Sequence, residues 1–261
     1  MQVAPATKSQ HAVQLQQMAA VAGGTGNAKM TVSTASASAT FTADEVAVKS
    51  GLGGAAWLLS NYSKVINLAT TGAGGMDTGA APVNGWVALY AIYNPVSGAS
   101  SILAVNSPNT VMPAVYGGAN MPAGYTASAL LTVVATNASS QFKVCTVKGR
   151  KIYIQLATAY SGRAIISNNP IAISGIIPAN AMEVSGELTV GSSALSTMSL
   201  TILPDASIVG QQSMTTTVGA GQALTLNYTG LPINTVQQLM FTSSSTAGIP
   251  TFNIYIASYS I

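Results

Sequence analysis

Residues 85–93 read GWVALYAIY and stop at Asn94 and Pro95. The run is apolar at successive positions, too short for a core helix, and closed by turn formers, which predicts a central β-strand buried on both faces. Trp86 and Tyr90 stand four residues apart, so they share one face of that strand, either in a core or in a subunit interface. Downstream, the VSGAS turn at 96–100 leads to an apolar partner at 102–105, and NMPAGY at 120–125 is turn chemistry before an uncharged strand at 129–135. Upstream, period-two β patterning begins at Lys29, a run at 55–59 contains Trp57, and TTGAGGMDTG at 70–79 is a Gly-rich loop.

The second half continues in this style. Short candidate strands fall at 142–147, 152–156, 164–166, 184–190, 198–203, 213–218, 223–228, 237–242 and 252–259, separated by Gly, Pro, Asn and Asp. Such spacing predicts an all-β fold with a C-terminal β-sandwich, jelly-roll-like. The convincing helical stretch is SQHAVQLQQMAAVA at 9–22, where His11, Leu15, Met18 and Ala22 follow the spacing of a coiled-coil seam for about one and a half heptads. GGTGN at 23–27 then reads as a hinge. The chain is therefore expected to contain a short N-terminal helical stalk segment at 1–28, a middle β module at 29–141 and a β-sandwich tip domain at 142–261, with the boundary at the Asn-Ala-Ser-Ser-Gln interruption.

Charge is scarce. Nine basic and six acidic residues serve 261 positions, 6% of the chain, whereas about 25% is ordinary for a soluble domain. No charge lies between Asp77 and Lys143 or after Asp205. A chain of Ala, Ser, Thr, Gly, Val and Asn keeps few charges for solubility, so it is expected to bury surface against partner subunits or within a large assembly. No apolar run approaches the roughly 18 residues of a spanning helix, and MQVAPATKSQ has neither a basic n-region nor an apolar h-region. The single Cys145 makes no internal disulfide and reads as a small buried hydrophobe. Lys143, Lys148, Arg150 and Lys151 form the basic cluster, read as a solvated hairpin turning at Gly149, with contact to phosphate or an acidic glycan as the alternative.

Catalytic patterns are missing. The Gly-rich stretches fit neither a P-loop nor GxGxxG, no GxSxG occurs, and SxxK at 140–143 has no companion motif. Glu183 and Glu187 read as solvent-facing charges rather than a glycosidase pair. One His and one Cys make a poor metal set, so no cofactor is expected and the chain does not read as an enzyme.

The block VINLATTGAGGMDTGAAPVNGWVALYAIYNPVSGASSILAVN at 65–106, with VYGGANMPAGYTASALL after it, resembles a recurrent module of tailed-bacteriophage tail fibre proteins and their prophage relatives. PATKSQHAVQLQQ is similar to the short linking repeats of such fibres. The resemblance covers roughly residues 5–142. It implies a homotrimeric fibre at the distal end of a virion, binding a bacterial cell-surface glycan or protein, and supplies no catalytic residues. In such a fibre the C-terminal domain is presented farthest from the virion. Its candidate receptor-binding residues are Tyr160, Arg163, Asn168 and Asn169 in one stretch and Asn227 and Tyr228 in another. Arg163 suits a lipopolysaccharide phosphate or sugar acid, the tyrosines suit stacking, and the amides suit sugar hydroxyls. The alternatives are a structural tail component without receptor binding and a polysaccharide depolymerase.

Overall fold

The structure is a computed structural model and describes residues 21–261. The stalk helix expected at 9–22 falls outside the described residues but for Val21 and Ala22, which are not helical. Among the described residues all regular structure is β, organised in two compact units. One runs to Pro108 and from Met112 to Arg150; the other holds Asn109–Val111 and Lys151–Ile261.

The first unit contains β1 (Thr25–Gly26), β2 (Lys29–Val32), β3 (Ser38–Lys49), β4 (Ala56–Asn67), β5 (Trp86–Tyr93), β6 (Ser100–Asn106), β7 (Ala127–Ala135) and β8 (Cys145–Lys148). They pair in the order β8-β2-β3-β7-β5-β6, with β1 and β4 also bonded to β3. Strand β5 is buried at every position but Tyr93, so the doubly apolar run is indeed a strand covered on both faces. Tyr90 is fully buried, donates its hydroxyl to the Pro113 carbonyl at 2.8 Å and meets the Tyr116 ring edge-on at 5.7 Å. The loop through 113–116 thus covers this side of β5, and Trp86 is 7% exposed.

Local chemistry sets the turns. Asn94 Oδ1 accepts from the amides of Val96 and Ser97, which closes the chain back into β6. The Gly-rich 70–79 segment is more than a loop: Gly74 N donates to Ile102 O and Asp77 N to Ala104 O, each at 2.7 Å, so its backbone pairs with the free edge of β6. A side chain at Gly75 would meet the Thr70 carbonyl at 2.4 Å, which is why small residues crowd here. The GGTGN hinge is likewise corrected. Gly23 N donates to Ala47 O, Ala47 N returns to Gly24 O, and Thr25 and Gly26 pair with Val46 and Glu45, locking the segment to β3.

The division between units falls after Arg150, later than the boundary expected at 141/142. Asn137 Oδ1 caps the turn by accepting from Ser139 N and Gln141 N, and Phe142 is buried with bridges to Ser36 and Thr136. Strand β8 pairs with β2 from Lys29↔Lys148 to Val32↔Cys145, which ties residues up to 148 to the first unit. Gly149 makes the turn at φ 59. Cys145 is free and 7% exposed, and burial pushes its thiol up to about 11. Arg150 departs from the solvated-hairpin reading: its guanidinium donates to the Leu130 carbonyl at 3.3 Å, and desolvation lowers its pKa.

The second unit contains β9 (Lys151–Gly162), β10 (Asn169–Ala172), β11 (Glu183–Ser192), β12 (Ser196–Leu203), β13 (Gln212–Val218), β14 (Gln222–Pro232), β15 (Gln238–Ser245) and β16 (Pro250–Ser260). They form two four-stranded antiparallel arrays, β14-β11-β16-β9 and β10-β15-β12-β13. Alternate residues point inward: Leu188, Val190, Phe252, Ile254 and Ile256 from the first, Met198, Leu200, Ile202, Leu239 and Phe241 from the second, all buried. Residues 164–166, expected as a strand, are irregular, though Ser243 Oγ holds the Ala164 carbonyl at 2.8 Å; the strand is β10. Pro170 is tolerated there because β10 is an edge.

The Ser/Thr-rich composition has a structural use on the outer face. Thr197 pairs with Thr217, Thr201 with Ser213, and Thr215 with Ser199 through hydroxyls 2.8 to 3.1 Å apart. Cross-strand hydroxyl pairs each contribute about 0.2–1 kcal/mol, so a sheet face is stabilised without charges.

Buried phenols make the fold sensitive to alkali. Desolvation raises the pKa of Tyr62, Tyr90 and Tyr228, while burial with the Asp77 hydrogen bond pushes Tyr116 up to about 12. A phenol whose pKa is raised on folding stabilises the fold below its unfolded value and loses that contribution as pH climbs toward the folded value. Stability is therefore expected to hold up to pH 10 and fall between pH 10 and 12, with phenolate absorbance appearing together with unfolding.

Candidate functional site

The outer face of β14-β11-β16-β9 is built by the side chains that alternate with the core. Register places Asn227, Glu187, Tyr255 and Thr158 in one row across the four strands, and Thr225, Thr189, Asn253 and Ser161 in the next. The second row is knit together. Thr189 and Thr225 hydroxyls lie 2.8 Å apart, and Ser161 Oγ donates to Asn253 Oδ1 at 2.7 Å.

At the end of this face, where β9 finishes and β14 and β16 begin, the surface sinks into a groove of about 410 Å³. Arg163, Thr189, Gly191, Gln222, Thr251 and Asn253 line it. A Cβ added at Gly191 would lie 3.1 Å from the Gln222 carbonyl oxygen and 3.3 Å from Ala223 Cβ, so glycine keeps the floor low. Arg163 is the one cation, and its side chain is exposed. Hydroxyls, amides and a guanidinium around a shallow depression present alternating donors and acceptors, the pattern that matches a saccharide's hydroxyls and an acidic substituent.

Of the six sequence candidates the structure brings only Arg163 into this groove. Asn227 lies on the same outer face, opposite Glu187. Tyr160 points the other way: it pairs with Ile254, an inward residue, and its ring packs against Phe241 at 4.2 Å. Asn168 sits at φ 50 in the turn before β10, where its backbone N–H donates to Thr242 Oγ1 at 3.0 Å and its side-chain Oδ1 accepts from the same hydroxyl at 3.2 Å. Asn169 donates to the Pro170 carbonyl. Both shape the turn.

Tyr228 is the clear correction. It is 3% exposed and donates its hydroxyl to the Tyr255 carbonyl at 2.8 Å, so it is a core side chain and has no face to offer a sugar. The reason is register: Leu224, Leu226 and Tyr228 pair with Val190, Leu188 and Gly186, so Tyr228 falls on the inward-facing side of β14. Sequence reasoning passed over Thr189, Gln222, Thr251 and Asn253. Their signal was the alternation TFNIYI and ELTV, whose polar positions share one face, but nothing local says that β11, β14 and β16 are neighbours.

Glu183 and Glu187 are separated by a bulge at Ser185/Gly186 in the pairing with β16. Among the described residues no group of three His, Cys, Asp or Glu side chains forms a metal-binding cluster. No protein-family model matches the chain, and no curated protein matches it.

Proposed function

We propose that this chain is a distal region of a bacteriophage tail fibre that binds a bacterial surface receptor, glycan or protein, without enzymatic chemistry. The observation that carries the reading is the hydroxyl-, amide- and guanidinium-lined groove on the outer face of the second unit. Its eight strands, ordered β9-β16-β11-β14 and β10-β15-β12-β13, follow the connectivity of a jelly roll, an architecture frequent in viral and lectin domains. That likeness is one of fold, and the function is argued from the groove.

Homotrimeric assembly is part of the proposal. Leu224 and Leu226 on edge strand β14 are each 49% exposed, and Leu58 and Val65 on β4 are 56% and 60% exposed. In a chain with so little charge, these surfaces favour burial against further copies, and three copies of a weak glycan site gain avidity. A virion component reaches the cell exterior by lysis and needs no disulfide, in keeping with one buried Cys. Six dispersed carboxylates give a depolymerase little to work with.

The test is adsorption of the purified chain to bacterial cells before and after removal of surface polysaccharide or of surface protein. Saturable binding that disappears with one of the two treatments is expected. A chain that adsorbs to no cells leaves the structural-component reading.

A further inference from the structure

We propose that the first unit holds an oxyanion site in the groove between the β1–β2 junction and the Gly149 turn. The groove measures about 840 Å³, and its lining includes Asn27, Lys29, Thr42, Asp44, Lys148 and Gly149. Lys148, Lys29 and Thr42 are successive partners in register across β8, β2 and β3, so their side chains rise from the same face. Like charges directly opposite each other on a sheet are destabilising. This chain has nine basic residues and sets two of them face to face.

Three other cations are occupied. Lys64 lies over the Tyr62 ring, Lys151 over the Tyr153 ring, and Arg150 binds the Leu130 carbonyl. The side chains of Lys29 and Lys148 make no ion pair, ring contact or hydrogen bond among the described residues. The groove's carboxylate forms no ion pair with either lysine: Asp44 Oδ2 accepts from Asn27 Nδ2 at 2.5 Å, and its single negative charge leaves two ammonium groups in excess of one carboxylate. Thr42 Oγ1, in the same row, is buried and makes no hydrogen bond among the described residues. Two unpaired ammonium groups beside an unsatisfied hydroxyl are complementary to a phosphate, sulfate or carboxylate group, which relieves the repulsion and accepts from all three.

The site is held open by its backbone. Asn27 at φ 50 interrupts the strand between β1 and β2, and Gly149 N donates to the Ala28 carbonyl at 2.8 Å, fixing the turn that carries Lys148 against the break.

The experiment is thermal melting and calorimetric titration of the full chain with inorganic phosphate and with glucose 6-phosphate, ionic strength matched by NaCl. Wild type and Lys64→Gln are expected to bind and to melt a few degrees higher with ligand. The Lys29→Gln/Lys148→Gln double variant is expected to bind at least about ten-fold more weakly, since two charge-assisted hydrogen bonds are removed. In NaCl alone that variant should melt at or above wild type, because the repulsion is gone, so its lost response does not reflect misfolding. Tighter binding of the sugar phosphate assigns the anion to a glycan, and equal binding assigns it to the free ion. No ligand response in wild type, or equal responses in all three proteins, overturns the proposal.

Discussion

Gly186→Ala is expected to unfold the β14-β11-β16-β9 array. A Cβ at this position falls 1.9 Å from the Tyr255 carbonyl oxygen and 2.9 Å from Ile256 Cα, both main-chain atoms of the neighbouring strand. Overpacking into a rigid neighbour costs about 1–3 kcal/mol and more where backbone must move; here strand β16 must shift, and the Tyr228 hydroxyl bond to Tyr255 goes with it. A loss above about 3 kcal/mol is a large share of the 5–15 kcal/mol that holds an ordinary domain. Hydrogen exchange is the appropriate measurement. Amides of β11 and β16 should lose protection while those of β5 and β7 keep it, and equal protection throughout would contradict the close approach.

Tyr90→Ala carries the second large effect. The side chain is fully buried, so its removal leaves a cavity on β5, and large aromatic truncations of this kind cost about 3–5 kcal/mol. It also strands the Pro113 carbonyl, which Tyr90 caps, and removes the edge-on partner of Tyr116. Tyr90→Phe keeps the ring and loses the hydrogen bond alone, at about 1 kcal/mol. Chemical denaturation should rank wild type above Phe and Phe well above Ala. If Ala matched Phe, the covering of β5 by the 113–116 loop would be wrong.

Much of the fold was legible because β patterning is local. The doubly apolar run at 86–93 announced a covered strand, the Gly149 turn and the Cys145/Val147 alternation announced β8, and ELTV and TFNIYI announced half-buried strands. Long-range pairing was not legible. Glu187 meets Asn227 and Tyr255, tens of residues away, and no spacing rule predicts that neighbourhood. The orientation of Tyr160 and Tyr228 was lost for a sharper reason. Both adjoin Gly, Ser or Asn, which looks like turn context; yet a bulge at Ile254/Tyr255 resets the alternation so that the Tyr160 ring turns inward against Phe241, while Tyr228 simply continues the inward alternation of Leu224 and Leu226. Arg163 was found because charge is rare enough in this chain to stand out; its groove partners are ordinary Thr, Gln and Asn, and only the sheet order gathers them.

Adsorption of the full chain to susceptible bacteria, measured for wild type, Arg163→Ala/Asn253→Ala and Tyr160→Phe, tests the central claim most directly. Arg163 and Asn253 line the groove, and Tyr160, half-buried with its ring against Phe241, is a control within the same unit. Loss of a charge-assisted hydrogen bond and an amide contact amounts to about 2–4 kcal/mol per site, amplified where several copies bind together. The account predicts that the double variant keeps its fold and loses adsorption by at least about 30-fold, while Tyr160→Phe binds as wild type. Undiminished adsorption by a folded double variant would contradict recognition through the outer face of the second unit.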